Sequence, residues 1–269
     1  MGKRSRNQGN TNPVYSYLAK GRFEANITID SPKPFEIVTR EYTFRITEDE
    51  KSHSTHYFEL DFDAPNIKSS KQIAHNYLQQ TSSSLSLAFD TPIYDAEISK
   101  VKSSKDSTAL AVADVVSSSH LEGVTLIKKV SEEEIKLLRV ILVKNNDWMA
   151  EQLDLVTLYR QALACHNAYE AFSLYYQILV KAVMGQNSDR KNVDDYIKKI
   201  DDNVEMLYNN HPKDRHKGKF TIITAIRDTM NHNAYYPEFD MDIKIRVSLS
   251  TLKAAARAAL MKELGVNSD

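Results

Sequence analysis

Between about residues 22 and 129 the hydrophobic positions recur with a period of two. Tyr42, Phe44 and Ile46 alternate with Thr43 and Arg45, and Phe58, Leu60 and Phe62 alternate with Glu59 and Asp61. Strands with one buried face read this way. The turn-prone run Thr47 to Ser52 between them predicts an antiparallel hairpin. A helix is expected over 70–81, where Ile73, Tyr77 and Leu78 share a face, and strand character returns over 93–101 and 109–116. Ser-rich connections, Ser103-Ser104 and Ser117-Ser118-Ser119, separate these runs.

Near residue 130 the period changes. Ser131-Glu132-Glu133-Glu134 has the form of a capping box that opens a helix running through Val143. Asn145-Asn146-Asp147 then interrupts the chain. A long seam follows, in which Leu155, Leu158, Ala162, Cys165, Tyr169, Phe172, Tyr176, Leu179 and Val183 recur every three or four residues, as on one continuous helix. Further helices are expected over 193–208, over 220–232 before Pro237, and over 248–264 before Gly265. The expected fold is α+β, with a basic flexible tail (1–21), a sheet-rich domain (22–129) and an all-α helical domain (130–269). The seam reads as a bundle core or a dimer face.

The chain's 269 residues leave room for two ordinary domains, and its net charge of −1 gives no global field for nucleic acid, so local clusters decide. The only cysteine, Cys165, excludes an intramolecular disulfide and fits a reducing compartment. No stretch approaches the roughly 18 apolar residues of a membrane span, and the N-terminus lacks a signal-peptide core. These features predict a soluble cytoplasmic protein. Lys3, Arg4, Arg6 and Lys20 make the first 21 residues basic. His53, His56, His75 and His120 lack the spacing of a zinc site, so no metal or cofactor is expected.

The candidate chemistry lies where the apolar helix Phe220 to Ile226 turns polar, at Arg227-Asp228-Thr229-Met230-Asn231-His232. Arg227 and Asn231 fall one turn apart on one face, with His232 rotated about 140° from Arg227. A guanidinium that can bind two phosphate oxygens, beside an imidazole that titrates near neutrality, supplies what RNA cleavage without metal requires. Asp228 and Asn231 are placed to orient the pair. Just upstream, Lys213, Arg215, Lys217 and Lys219 give the loop from His211 four cations against one acid, and so a candidate surface for an RNA backbone.

Arg227-Asp228-Thr229-Met230-Asn231-His232 resembles the Arg-polar-x-x-x-His motif of the HEPN superfamily, and the segment Ala168 to Leu179 is similar to the long core helix that precedes the motif in that family. The resemblance covers roughly residues 131–265. It implies a helical bundle, often a metal-independent ribonuclease of toxin or antiviral systems, with catalytic Arg227 and His232 shared across a homodimer. Two positions after His232, where members paired with a nucleotidyltransferase often carry tyrosine, stands Ala234. The alternative reading is a non-catalytic HEPN-like interaction or RNA-binding protein within a defence complex, with a protein partner held by the N-terminal half.

Overall fold

The computed structural model describes residues 14–29, 34–49, 52–103, 109–116, 127–145, 147–184, 190–209, 218–232 and 240–266. The sheet strands are β1 (Tyr15–Glu24), β3 (Phe35–Val38), β4 (Tyr42–Asp49), β5 (Ser52–Ala64), β6 (Tyr94–Ser103) and β7 (Ala109–Val116). They order as β3-β4-β5-β1-β6-β7, every neighbouring pair antiparallel. The expected hairpin is β4–β5. Its register sets Tyr42 against Phe62, Phe44 against Leu60 and Ile46 against Phe58, so the alternating aromatics form one buried layer. Cross-strand pairs such as Lys20 with Glu59, Arg22 with Glu97 and Arg45 with Asp61 occupy the opposite face.

Strand β1 starts at Tyr15, which corrects the reading of residues 1–21 as a tail. Tyr17 and Ala19 are buried, Gly21 follows at the next inward position, and Lys20 points outward to Glu59. Small residues at two inward positions hide this strand from a hydrophobic pattern. Residues 1–13 lie outside the described residues.

Helix α1 (Ile67–Phe89) continues well past the expected 81. Its C-terminal stretch Ser82-Ser83-Ser84-Leu85-Ser86 lacks an amphipathic period because it is buried all round. The helix packs on β5 and β6 and also contacts α2 (Glu132–Asn145) and α3 (Ala150–Ala164). Small serines allow that close approach. A short parallel pair, β2 (Ile27–Ile29) with β8 (Lys128–Val130), ties the sheet to the start of α2.

The capping box forms as read: Ser131 N–H donates to Glu134 Oε2 (2.9 Å) and Glu134 N–H to Ser131 Oγ (3.2 Å). The long seam is two helices, α3 and α4 (Ala168–Met184), rather than one. Cys165 closes α3 with extended backbone, and Asn167 Oδ1 accepts from Tyr169 N–H (2.8 Å) to begin α4. The period survives the break because α3 and α4 pack together.

The helix expected over 193–208 is α5 (Arg190–Ile200), which ends where Asp201 Oδ1 accepts from Asn203 N–H. Met206–Asn209 then forms β9, paired with β10 (Gly218–Thr221). The C-terminal half, expected to be all-α, therefore carries a hairpin. Helix α6 (Ile222–His232) starts two residues later than expected, since Phe220 belongs to β10. Helix α7 (Met241–Glu263) starts seven residues earlier than 248, capped by Asp240 Oδ1 on Ile243 N–H (3.2 Å), and Gly265 ends it at φ +63°.

One hydrophobic cluster runs from the sheet through α1 into the helices. The end of α1 is the junction. Asp90 accepts from the Tyr159 hydroxyl (2.5 Å) and pairs with Lys253 (2.9 Å), while Arg257 donates to the carbonyls of Leu87 and Ala88. Arg257 thereby satisfies carbonyls that a helix C-terminus otherwise leaves open, and Lys253 places a second cation at the same end. Among the described residues no helix is long and apolar enough to cross a membrane.

Candidate functional site

The site is built from the start of α6. Thr221 caps the helix, its Oγ1 accepting from Thr224 N–H (3.3 Å). Buried Asp194, from α5, brings one oxygen to this turn. Asp194 Oδ1 accepts from Thr221 N–H (3.0 Å), Thr221 Oγ1 (2.6 Å) and Thr224 Oγ1 (2.8 Å). A carboxylate at a helix N-terminus is also favoured by the helix dipole. The hairpin β9–β10 and α5 thus fix where α6 begins.

One turn further along α6, Arg227 lies with its guanidinium carbon 5.8 Å from the centroid of the Tyr176 ring on α4. Its Nη1 donates to Asp228 Oδ1 (2.9 Å), and both side chains are part-buried. Tyr176 lies beside Thr224, and burial pushes its hydroxyl pKa up while Thr224 and Arg227 pull the other way. A continuous path of contacts therefore runs from Asp194 through Thr224 and Tyr176 to Arg227. Of the five N–H donors of a guanidinium, one is committed to Asp228 and the rest suit an anion.

Between α4 and α6 lies an open groove of about 300 Å³, lined by Tyr176, Gln177, Lys181, Arg227, Met230 and Asn231 among others. Arg227 and Asn231 share one face as the spacing predicts, and both line this groove. Asp228 turns to the guanidinium. His232 is the last residue of α6, and its side chain lies outside the described residues. So do Lys213, Arg215 and Lys217. Lys219 stands exposed on β10, opposite Tyr208 on β9.

Sequence reasoning missed Asp194, Gln177 and Lys181 as neighbours of the motif and took Tyr176 as core only. The Thr221-x-x-Thr224 spacing at a helix start was a usable signal for the cap. Nothing local connects it to Asp194, which is 27 residues away. Among the described residues no group of three or more His, Cys, Asp or Glu side chains is arranged to hold a metal ion. His56 is buried, with Nε2 3.2 Å from the Ala25 carbonyl oxygen, and serves the sheet core.

No protein-family model matches the chain, and neither a curated protein nor a solved structure shows significant similarity to it.

Proposed function

We propose that this protein is a metal-independent endoribonuclease of the HEPN type, acting in a toxin or antiviral-defence setting as a homodimer. The observation that carries the reading is Arg227 itself. It is a part-buried guanidinium held between Tyr176 and Asp228 on the rim of a groove, five positions before His232 on the same helix end.

In this reading the RNA's own 2′-hydroxyl attacks the adjacent phosphorus and the bond to the 5′-oxygen breaks. The products are a 2′,3′-cyclic phosphate and a 5′-hydroxyl. One imidazole takes the 2′-proton and another gives a proton to the leaving oxygen, so two copies of His232 from two protomers divide the work. Arg227 offsets the charge that builds on the phosphate oxygens. Asp228 and Tyr176 keep its fork in place, Asn231 lines the same face, and Lys213, Arg215, Lys217 and Lys219 hold the flanking backbone.

The test is cleavage of single-stranded RNA in excess chelator by wild type, Arg227→Ala and His232→Ala. The expected result is a cyclic-phosphate product from wild type only. Equal cleavage by all three proteins overturns the proposal. A second reading draws on the same contacts: with one donor on Asp228 and its face on Tyr176, Arg227 has a structural role as well. A non-catalytic interaction protein predicts biological function intact in both variants.

A further inference from the structure

We infer that the α4–α6 groove seats a single unpaired RNA nucleotide, with Arg227 and Lys181 on its phosphates and the Gln177 amide reading its base. This rests on the ribonuclease reading for the identity of the ligand and adds the place where specificity is set.

The groove has two polar rails. On α4, Ser173, Gln177 and Lys181 follow one another at four-residue intervals, and on α6 Arg227 and Asn231 do the same, so each rail repeats every 6 Å or so. The rest of the lining is largely apolar, with Phe172, Tyr176, Val180 and Met230. Cations beside an apolar, partly aromatic lining are the two parts of a site for single-stranded nucleic acid: one follows the backbone and the other packs against a base.

Size narrows the ligand further. A cleft of about 300 Å³ lies at the small end of ligand sites and accommodates one nucleotide, whereas the base edges of a duplex are already paired and cannot enter.

Gln177 is singled out by what its neighbours already do. The Ser173 hydroxyl donates to the Tyr169 carbonyl (2.9 Å), which is the back-bonding common within helices. Gln177 is exposed and has no hydrogen bond among the described residues. An amide offers both donors and an acceptor, the complement of a base's hydrogen-bonding edge. Lys181 is likewise exposed, without an ion pair among the described residues, one turn beyond.

The experiment uses 2′-O-methyl oligonucleotides, which lack the nucleophile and therefore report binding alone. Fluorescence anisotropy of four single-stranded homopolymers and one mixed duplex is measured with wild type, Gln177→Trp and Gln177→Leu. Both changes are on the exposed face of α4, and thermal melts check that the fold is kept. Wild type should prefer single strands and rank the four bases unequally. Gln177→Trp, which fills the groove, should weaken single-strand binding about tenfold or more. Gln177→Leu should retain overall affinity and flatten the ranking. Preference for the duplex, equal affinity for all four homopolymers in wild type, or unchanged binding by Gln177→Trp overturns the inference. Cleavage of unmodified RNA is followed in parallel. Cleavage lost in Arg227→Ala with binding unmoved by either Gln177 variant removes the groove and keeps the ribonuclease. Binding that follows the Gln177 variants without any cleavage keeps the groove and removes the ribonuclease.

Discussion

The guanidinium of Arg227 packs over the ring of Tyr176, 5.8 Å from its centroid, and the same tyrosine lies beside Thr224 one turn earlier on α6. The aromatic ring on α4 therefore fixes both the position of α6 and the posture of its arginine. A guanidinium free in solvent would lose side-chain entropy each time it met a phosphate. Here much of that ordering is done in advance by a ring and a carboxylate.

Substitutions at these two positions should separate charge from geometry. Arg227→Lys keeps a cation but loses the planar fork, and its cleavage rate should fall by about 10²-fold, which corresponds to roughly 2.7 kcal/mol of transition-state stabilisation. Tyr176→Phe keeps the ring under the guanidinium and should leave cleavage nearly intact. Single-turnover assays in chelator read both. A fully active Arg227→Lys would show that the fork is not used.

Asp194 supports the site from behind. Replacing it with alanine removes the acceptor of three hydrogen bonds inside the protein and should destabilise the fold by about 3 kcal/mol, whereas Asp194→Asn, which keeps an acceptor oxygen, should cost about 1 kcal/mol. Denaturant midpoints decide this. Equal, small losses in both variants would mean that the threonines find other partners.

How far these features could be read beforehand depended on whether the signal was local. Alternation at Tyr42, Phe44 and Ile46 reports a half-buried strand directly, and the Ser131 to Glu134 box marks its helix start without tertiary help. The end of α1 was not legible, since a helix buried on all sides by serines has no polar face to reveal its period. The α3–α4 break was masked because two helices packed as a hairpin preserve one apolar rhythm across Cys165 and Asn167. At the site, the shared face of Arg227 and Asn231 followed from helix geometry. The convergence of Asp194, Tyr176 and Gln177 on that face is set by packing between distant segments, which no spacing encodes.

Gly21 offers a test of the central strand. A Cβ there would sit 1.9 Å from the Glu97 carbonyl oxygen and 2.5 Å from the Phe58 ring, so β1 must carry glycine where β5 and β6 close on it. Gly21→Ala should cost at least about 2 kcal/mol, because both backbone and ring must shift. A denaturant midpoint equal to that of wild type would show that the sheet relaxes there without penalty.

His56 makes stability depend on pH. Its ring is fully buried, stacked on Phe23 at 5.1 Å, with Nε2 against the Ala25 carbonyl oxygen and, among the described residues, no partner for Nδ1. Burial lowers its pKa below the ordinary 6.5, outweighing the opposing effects of the Ala25 carbonyl and Glu48. Below that ordinary value the unfolded chain binds the proton more readily than the native protein does. The stabilisation is therefore complete above pH 6.5 and is lost as pH falls through 6.5 toward the lower native value, with a slope approaching about 1.4 kcal/mol per pH unit for one proton. His56→Phe keeps the stack on Phe23 and cannot titrate. Urea unfolding at pH 7.5 and 5.5 should show a larger acid loss in wild type than in this variant, on top of a pH-independent cost of about 1 kcal/mol for the lost hydrogen bond in the variant. Parallel pH profiles for the two proteins would place the acid sensitivity elsewhere, because every other histidine is common to both.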